Sequence, residues 1–313
     1  MDRRILHGQA LNTDQPGLVN LGLVGAGAWG KNYISCIEEC SGVRLSAIAD
    51  RNPASQIFSE PGLKVFNDLD GILSIEHLDG IIVASPTPSH YSISAKILEK
   101  GLAVLIEKPL TNDPRSAKEI ERIAKSKGLV VRVNHIDLAN PAWRAVRQQI
   151  PSIGPLRRLR GTWIGDGPFR ADTPGRWDYG SHAIAVALDA TGADPKIVEA
   201  RRIAGKGSTE VVEVQMFWDD GVVATLQFGN AASEKRRQII VEGALGTLEY
   251  DDMKDTKAFK NGEPLEYPDQ PPLRTAVLDF VDSIRAPELT FDSVEMGVRV
   301  VSTLAQVDLA GGF

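Results

Sequence analysis

The sequence predicts an α/β chain in two domains. Residues 20–134 read as a doubly wound parallel sheet, and 135–313 as an α+β domain on a mostly antiparallel open sheet. Three observations carry this. In the first half, short and uniformly apolar runs alternate with helix-periodic segments, as in a parallel sheet covered on both faces. A glycine turn follows the first run and opens the first helix. Beyond Asn134 the runs lengthen and begin to alternate apolar with polar, as half-buried antiparallel strands do.

The first-half strands are Leu21–Val24, Leu45–Ala49, Ile81–Ala84, Ala103–Ile106 and Leu129–Val133, with a weaker one at Lys64–Phe66. Helices are predicted between them near Lys31–Cys40, Asp68–Ser74, Tyr91–Lys100 and Pro114–Lys127. Pro114 suits a first helical turn, and Gly101 and Gly128 suit helix ends. In the second half, helices are expected at Pro141–Gln149 and Asp178–Thr191. The strands there are Leu156–Trp163, Ile197–Ile203, Val211–Trp218, Val222–Phe228, Gln238–Glu242 and Thr247–Tyr250. Asp219-Asp220-Gly221 should turn the hairpin between two of them. Helices near Pro272–Arg285 and Ser293–Leu309 close the chain, and residues 1–19 form a polar arm.

Composition excludes several classes. With 42% apolar and 24% charged residues the chain is an ordinary globular protein rather than a disordered one. A net charge of −6 argues against a nucleic-acid partner. Basic clusters at Arg157-Arg158 with Arg160, at Arg201-Arg202 and at Lys235-Arg236-Arg237 read as charge on the solvent face of strands. No apolar run could span a bilayer, and the first twenty residues lack a signal-peptide core, so a cytoplasmic protein without a membrane partner is expected. Cys36 and Cys40 read as reduced packing residues; two thiols close no zinc site, and no metal is expected.

Three motifs carry chemistry. The first is Gly25-Ala26-Gly27-Ala28-Trp29-Gly30, placed after a strand and before a helix. Gly25 permits the tight turn, Gly27 lets the backbone approach a pyrophosphate, and Gly30 lets helix and strand pack closely. The helix N-terminus then offers N–H groups to the phosphates. Asp50 ends the second strand, where a carboxylate can accept the adenosine ribose hydroxyls and repel a 2′-phosphate. NAD is therefore expected, while Arg51 leaves NADP open. The second motif is Glu107-Lys108-Pro109 at the carboxyl end of the fifth strand, where a lysine could present a fixed cation to a developing alkoxide. The third is Asp178 four residues before His182 on one helical face, a pairing suited to a general base. An N-capping aspartate and a packed histidine would look the same.

The glycine turn, Asp50, Ser85-Pro86-Thr87-Pro88-Ser89-His90, Glu107-Lys108-Pro109 and Asp178 with His182 together resemble the glucose-fructose oxidoreductase, inositol dehydrogenase and rhizopine-catabolism (Gfo/Idh/MocA) family. Val241 to Thr247 is similar to a family turn, and the Trp177-Asp178 version of the third motif resembles the nucleotide-sugar 3-dehydrogenase branch. The resemblance implies an oxidoreductase that moves hydride between a nicotinamide cofactor and a secondary alcohol of a sugar, cyclitol or nucleotide-sugar. It implies that Lys108 touches the reacting oxygen, and that His182 is the acid/base with Asp178 as its partner. Ser85, Pro86, Thr87 and His90 would line the nicotinamide-side ribose and phosphates. Glu107 would hold that ribose or Lys108, and Asn134 and His135 would lie near the nicotinamide and substrate. A homodimer or homotetramer through the C-terminal sheet is implied as well.

Trp163, Arg170, Arg176 and Trp177 are candidate substrate contacts, since aromatics stack on sugar faces and arginines hold phosphate or carboxylate. Two other functions share these residues: an NAD-dependent glycoside hydrolase and a non-catalytic NAD-binding regulator. Retention of Lys108, Asp178 and His182 together argues against the regulator.

Overall fold

The computed structural model describes residues 17–51, 62–286 and 288–313. Most of the polar arm, and the Asn52-Pro53 pair after Asp50, lie outside them. The chain forms two compact units.

The first unit runs to Asn134 and takes in Leu273–Val298. Its strands are β1 (Val19–Val24), β2 (Val43–Ala49), β3 (Lys64–Phe66), β4 (Gly80–Val83), β5 (Ala103–Glu107) and β6 (Val131–Asn134). They make one parallel sheet in the order β3-β2-β1-β4-β5-β6, the doubly wound arrangement predicted. The order reverses between β1 and β4, so the loops after those two strands open side by side. The helices are α1 (Gly30–Glu38), α2 (Leu69–Leu73), α3 (His90–Glu99) and α4 (Pro114–Lys127). Asp113 caps α4 by accepting the N–H groups of Arg115 at 2.9 Å and Ser116 at 3.0 Å, and left-handed Gly128 ends it.

A later helix, α7 (Pro272–Arg285), also belongs to this unit. Its Val277, Phe280, Val281 and Ile284 join Leu21, Leu23, Ile82 and Leu105 in one core. A side chain on Gly80 would meet Phe280 at 2.8 Å, so the bare strand start makes room for the helix. The expected second domain, 135–313, is therefore not a single piece. An amphipathic stripe tells that α7 covers apolar surface, not whose.

The second unit holds α5 (Pro141–Gln149), β7 (Leu156–Asp166), α6 (Gly175–Thr191), β8 (Ile197–Lys206), β9 (Thr209–Phe217), β10 (Val223–Gly229), β11 (Ala231–Gly243), β12 (Thr247–Asp251), β13 (Ala258–Lys260) and β14 (Glu263–Pro264). The eight strands form one sheet in the order β14-β13-β12-β11-β7-β10-β9-β8. Its ladders are antiparallel except where β10 runs parallel to β7. On β10, Ala224, Leu226 and Phe228 are fully buried, as the alternation predicts. Helix α6 is buried along almost its whole length. The last helix is α8 (Asp292–Gly311). No helix among the described residues is long and apolar enough to cross a membrane.

Candidate active site

The glycine turn has the shape its residues require. Gly25 sits at φ +91°, and a side chain there would meet the backbone of Ala84 and Ser85 at 2.8 Å. A side chain on Gly30 would run into the carbonyl oxygen of Gly25. By contrast, a side chain on Gly27 would meet nothing within 4 Å, so the turn's tip faces open space that a Cβ would partly fill. The cap position of α1, Trp29, supplies no side-chain hydrogen bond to the helix. These features fit a pyrophosphate laid on the turn. Asp50 follows β2, and its Oδ2 accepts the Ala26 N–H of the glycine turn at 2.7 Å. Arg51 is exposed beside it, and Ala28 is exposed at the tip. Gly30→Ala is expected to lower NADH affinity at least tenfold and to lower the melting temperature, because the clash is with backbone that cannot swing away. A fluorescence titration and a melting curve check this.

Across the switch point, the Ser85 hydroxyl contacts that of Ser89 at 2.8 Å, Pro86 is exposed, and Thr87 is buried at the start of a 3-10 turn. His90 departs from expectation. Its ring is buried, with Nε2 2.8 Å from the Ser85 carbonyl and Nδ1 2.9 Å from the Pro109 carbonyl. Burial lowers its pKa, which the two carbonyls partly offset. It clips the loop after β4 to the loop after β5, so both ring nitrogens are engaged by carbonyls of the protein where a ribose or phosphate contact was expected.

Glu107 is the centre of a buried network. Its Oε1 accepts the Trp29 indole N–H at 2.5 Å, the Tyr33 hydroxyl at 2.7 Å and the Asn134 amide at 2.6 Å. Its Oε2 accepts the backbone N–H of Lys108 at 3.1 Å. Asn134 also donates to Tyr33 at 2.8 Å. Burial, then the charge of Glu107, pushes the Tyr33 phenol well above its usual range, so it stays a donor. One carboxylate thus fixes the glycine turn, the end of β6 and the main chain that carries Lys108, which is half-buried. Tyr33 was not visible as a site residue, because it sits on a plain amphipathic helix.

In the second unit, His182 meets a carboxylate that its spacing does not suggest. Its Nδ1 lies 2.6 Å from Oδ2 of Asp137, a buried residue in the turn between β6 and α5. The other carboxylate oxygen accepts the Trp163 indole N–H at 3.3 Å. Burial alone would raise the Asp137 pKa, but His182, Arg237 and Trp163 hold it below the usual aspartate value. Ionised Asp137 can accept a hydrogen bond from Nδ1–H, which leaves Nε2 as the basic nitrogen. Asp178 does not cap α6, which begins three residues earlier with Pro174 at the cap position. Its carboxylate lies 4.0 Å from the Arg170 guanidinium. His135 is buried beside Asn134 in the chain.

Three of the four candidate substrate contacts are corrected or reduced. Trp163 is fully buried and holds Asp137. Arg176 is spent within the protein: it bonds Glu210 and Asp308 at 2.5 Å each and stacks on the Phe313 ring. Trp177 is buried and donates to Asp308 at 2.9 Å. Arg170 alone is exposed. The strand arginines are not all solvent charge either. Arg202 pairs with fully buried Glu210 at 2.9 Å, and Arg237 is only half-exposed.

The profile of an oxidoreductase family with an NAD-binding Rossmann fold matches residues 19–135. A solved structure from Magnetospirillum magnetotacticum MS-1, named only as an oxidoreductase, superposes with a TM-score of 0.85 at 32% identity, covering 92% of this chain and 99% of that one. The chain belongs to the Gfo/Idh/MocA family. The UDP-N-acetylglucosamine 3-dehydrogenase of Acidithiobacillus ferrooxidans is 24% identical over 310 residues, spanning 92% of this chain and 96% of that protein. An inositol 2-dehydrogenase of Corynebacterium glutamicum is 29% identical over 150 residues, 46% of this chain and 44% of its own. As a Gfo/Idh/MocA protein it is an oxidoreductase with an NAD-binding Rossmann unit, and the turn at Gly25–Gly30 lies in the matched segment.

Proposed function

We propose that the chain moves a hydride between NAD(H) and a secondary alcohol or ketone on a sugar, cyclitol or nucleotide-sugar, with Lys108 and His182 handling the proton. The observation that carries this is the 2.6 Å contact of His182 Nδ1 with buried Asp137, which orients a base on a Gfo/Idh/MocA scaffold. The sugar-nucleotide and inositol dehydrogenases among its relatives support the substrate class.

Bound NAD supplies the hydride acceptor. The residues that would hold it are Gly25, Ala26, Gly27, Ala28, Trp29 and Gly30 at the pyrophosphate, Asp50 and Arg51 at the adenosine ribose, and Ser85, Pro86, Thr87 and Asn134 toward the nicotinamide. Lys108 presents its ammonium to the substrate oxygen and stabilises charge that develops there. His182 takes the hydroxyl proton on Nε2, and Asp137 acts as the positioning residue that sets its tautomer. Asp178 and His135 bind substrate. A homodimer or homotetramer through the outer face of the eight-stranded sheet is part of the same proposal, and light scattering after size exclusion reads it.

The test is NADH absorbance over a panel of glucose, myo-inositol, glucuronate and UDP-N-acetylglucosamine, with NAD and NADP in parallel. At least one panel member should yield NADH. NAD should be preferred over NADP about tenfold or more, and Asp50→Ser should narrow that ratio. A strong NADP preference would overturn the assignment of Asp50.

A further inference from the structure

The charged side chains around Asp137 and Asp178 are not equally satisfied. Arg176 is saturated by two carboxylates at 2.5 Å. Arg237 is not. It stands opposite Trp163 in the β11–β7 ladder, so both side chains project from the same face of the sheet. Farther along β11 that face is filled by fully buried Ile239 and Val241. A guanidinium has been placed at the end of an apolar row. Its nearest carboxylate, Asp252, lies at 3.9 Å, and its Nε is buried with no hydrogen-bond partner among the described residues. A buried cationic N–H left unpaired is costly, and the partly exposed end of the same guanidinium, 3.9 Å from its carboxylate, can meet an incoming anion. Asp137, Tyr179 and Tyr250 all feel its charge.

The loop after β7 reaches the same neighbourhood. The Tyr179 hydroxyl donates to the Gly167 carbonyl, the Gly167 N–H donates to Asn230 O at 3.0 Å, and Asn230 donates to Pro168 O at 3.2 Å. This bracing presents Phe169 with 61% of its surface exposed, and Arg170 next to it. Arg170 meets Asp178 only at 4.0 Å. A braced loop that holds an aromatic ring in water is a platform for another ring.

We propose that Arg237 and Arg170, with Phe169, form a recognition subsite for a substrate ring that carries an anionic group. The shared chemistry is a sugar or cyclitol ring with a carboxylate or phosphate. This rests on reading His182 as the base of the same site. The arginines take the anion through paired N–H donors, and Phe169 covers the apolar face of the ring.

The experiment measures equilibrium binding to the NADH-loaded protein by calorimetry. Glucuronate and UDP-N-acetylglucosamine are the anionic probes, and glucose and myo-inositol the neutral ones. One anionic probe should bind about 100-fold tighter than the neutral rings, and which one does identifies carboxylate or diphosphate as the source. Arg237→Gln and Arg170→Gln should each weaken that probe by about 10- to 100-fold and leave the neutral rings unchanged, whereas Phe169→Ala should weaken both kinds. Arg237→Lys should restore part of the loss. If Arg237→Gln does not fold, Arg170→Gln on the exposed loop carries the measurement. Equal binding of charged and neutral rings, or wild-type affinity in Arg170→Gln, would overturn the subsite. Turnover separates the two ideas. NADH formed only from neutral rings sinks the subsite and keeps the dehydrogenase; anion-selective binding with no NADH from any ring does the reverse.

Discussion

Replacing His182 by alanine is expected to lower kcat by about 10³-fold while NADH affinity stays within about twofold, since the ring serves the substrate proton and the glycine turn holds the cofactor. Asp137→Asn should cost about 10²-fold in kcat with little change in KM, because an amide can present its N–H to Nδ1 and select the wrong tautomer. It should also shift the acid limb of the pH–rate profile, which a mere packing defect would not do. Asp178→Asn is expected to act mainly on KM, since Nδ1 of His182 is held by Asp137. If Asp178→Asn moved the pH profile and Asp137→Asn did not, the assigned pair would be wrong.

Lys108→Ala should lower kcat/KM by about 10²- to 10³-fold through kcat, the size associated with removing one preorganised charge from a developing oxyanion. Lys108→Arg should recover little, because a guanidinium is wider and its charge is spread. The main chain at this position is set by Glu107, whose Oε2 takes the Lys108 N–H. Glu107→Gln therefore belongs in the same steady-state series, and it should reduce both kcat and NADH affinity. It disturbs a hub that also holds Trp29, Tyr33 and Asn134. Wild-type kcat in Lys108→Ala would remove the lysine from the chemistry.

The parallel sheet, the glycine turn, the capped α4 helix and the β9–β10 hairpin were legible because each depends on neighbours in sequence. Period, turn residues and caps act over a few residues. What was not legible depends on distance. Asp137 pairs with His182 forty-five positions away, and nothing in the local pattern favours it over Asp178, four positions away on the same helix. Tyr33 reaches Glu107 across seventy-four positions. Arg202 and Arg237 resemble plain surface charge in the sequence, yet Arg202 pairs with fully buried Glu210 and Arg237 ends a buried apolar row of its own strand. Arg176, a candidate substrate contact, is taken up by Glu210 and Asp308. Helix α7 was found with its boundaries but assigned to the wrong unit, since an apolar stripe is silent about which sheet it will cover.

The most direct measurement uses a panel ring labelled with deuterium at its carbinol carbons, NAD and the wild-type protein, with NADH isolated and its mass determined. Deuterium in the NADH, formed about 10²- to 10³-fold more slowly by His182→Ala and Lys108→Ala, is the predicted result. Glycosidic cleavage without net NADH, or tight NAD binding with no transfer to or from any ring, would contradict it.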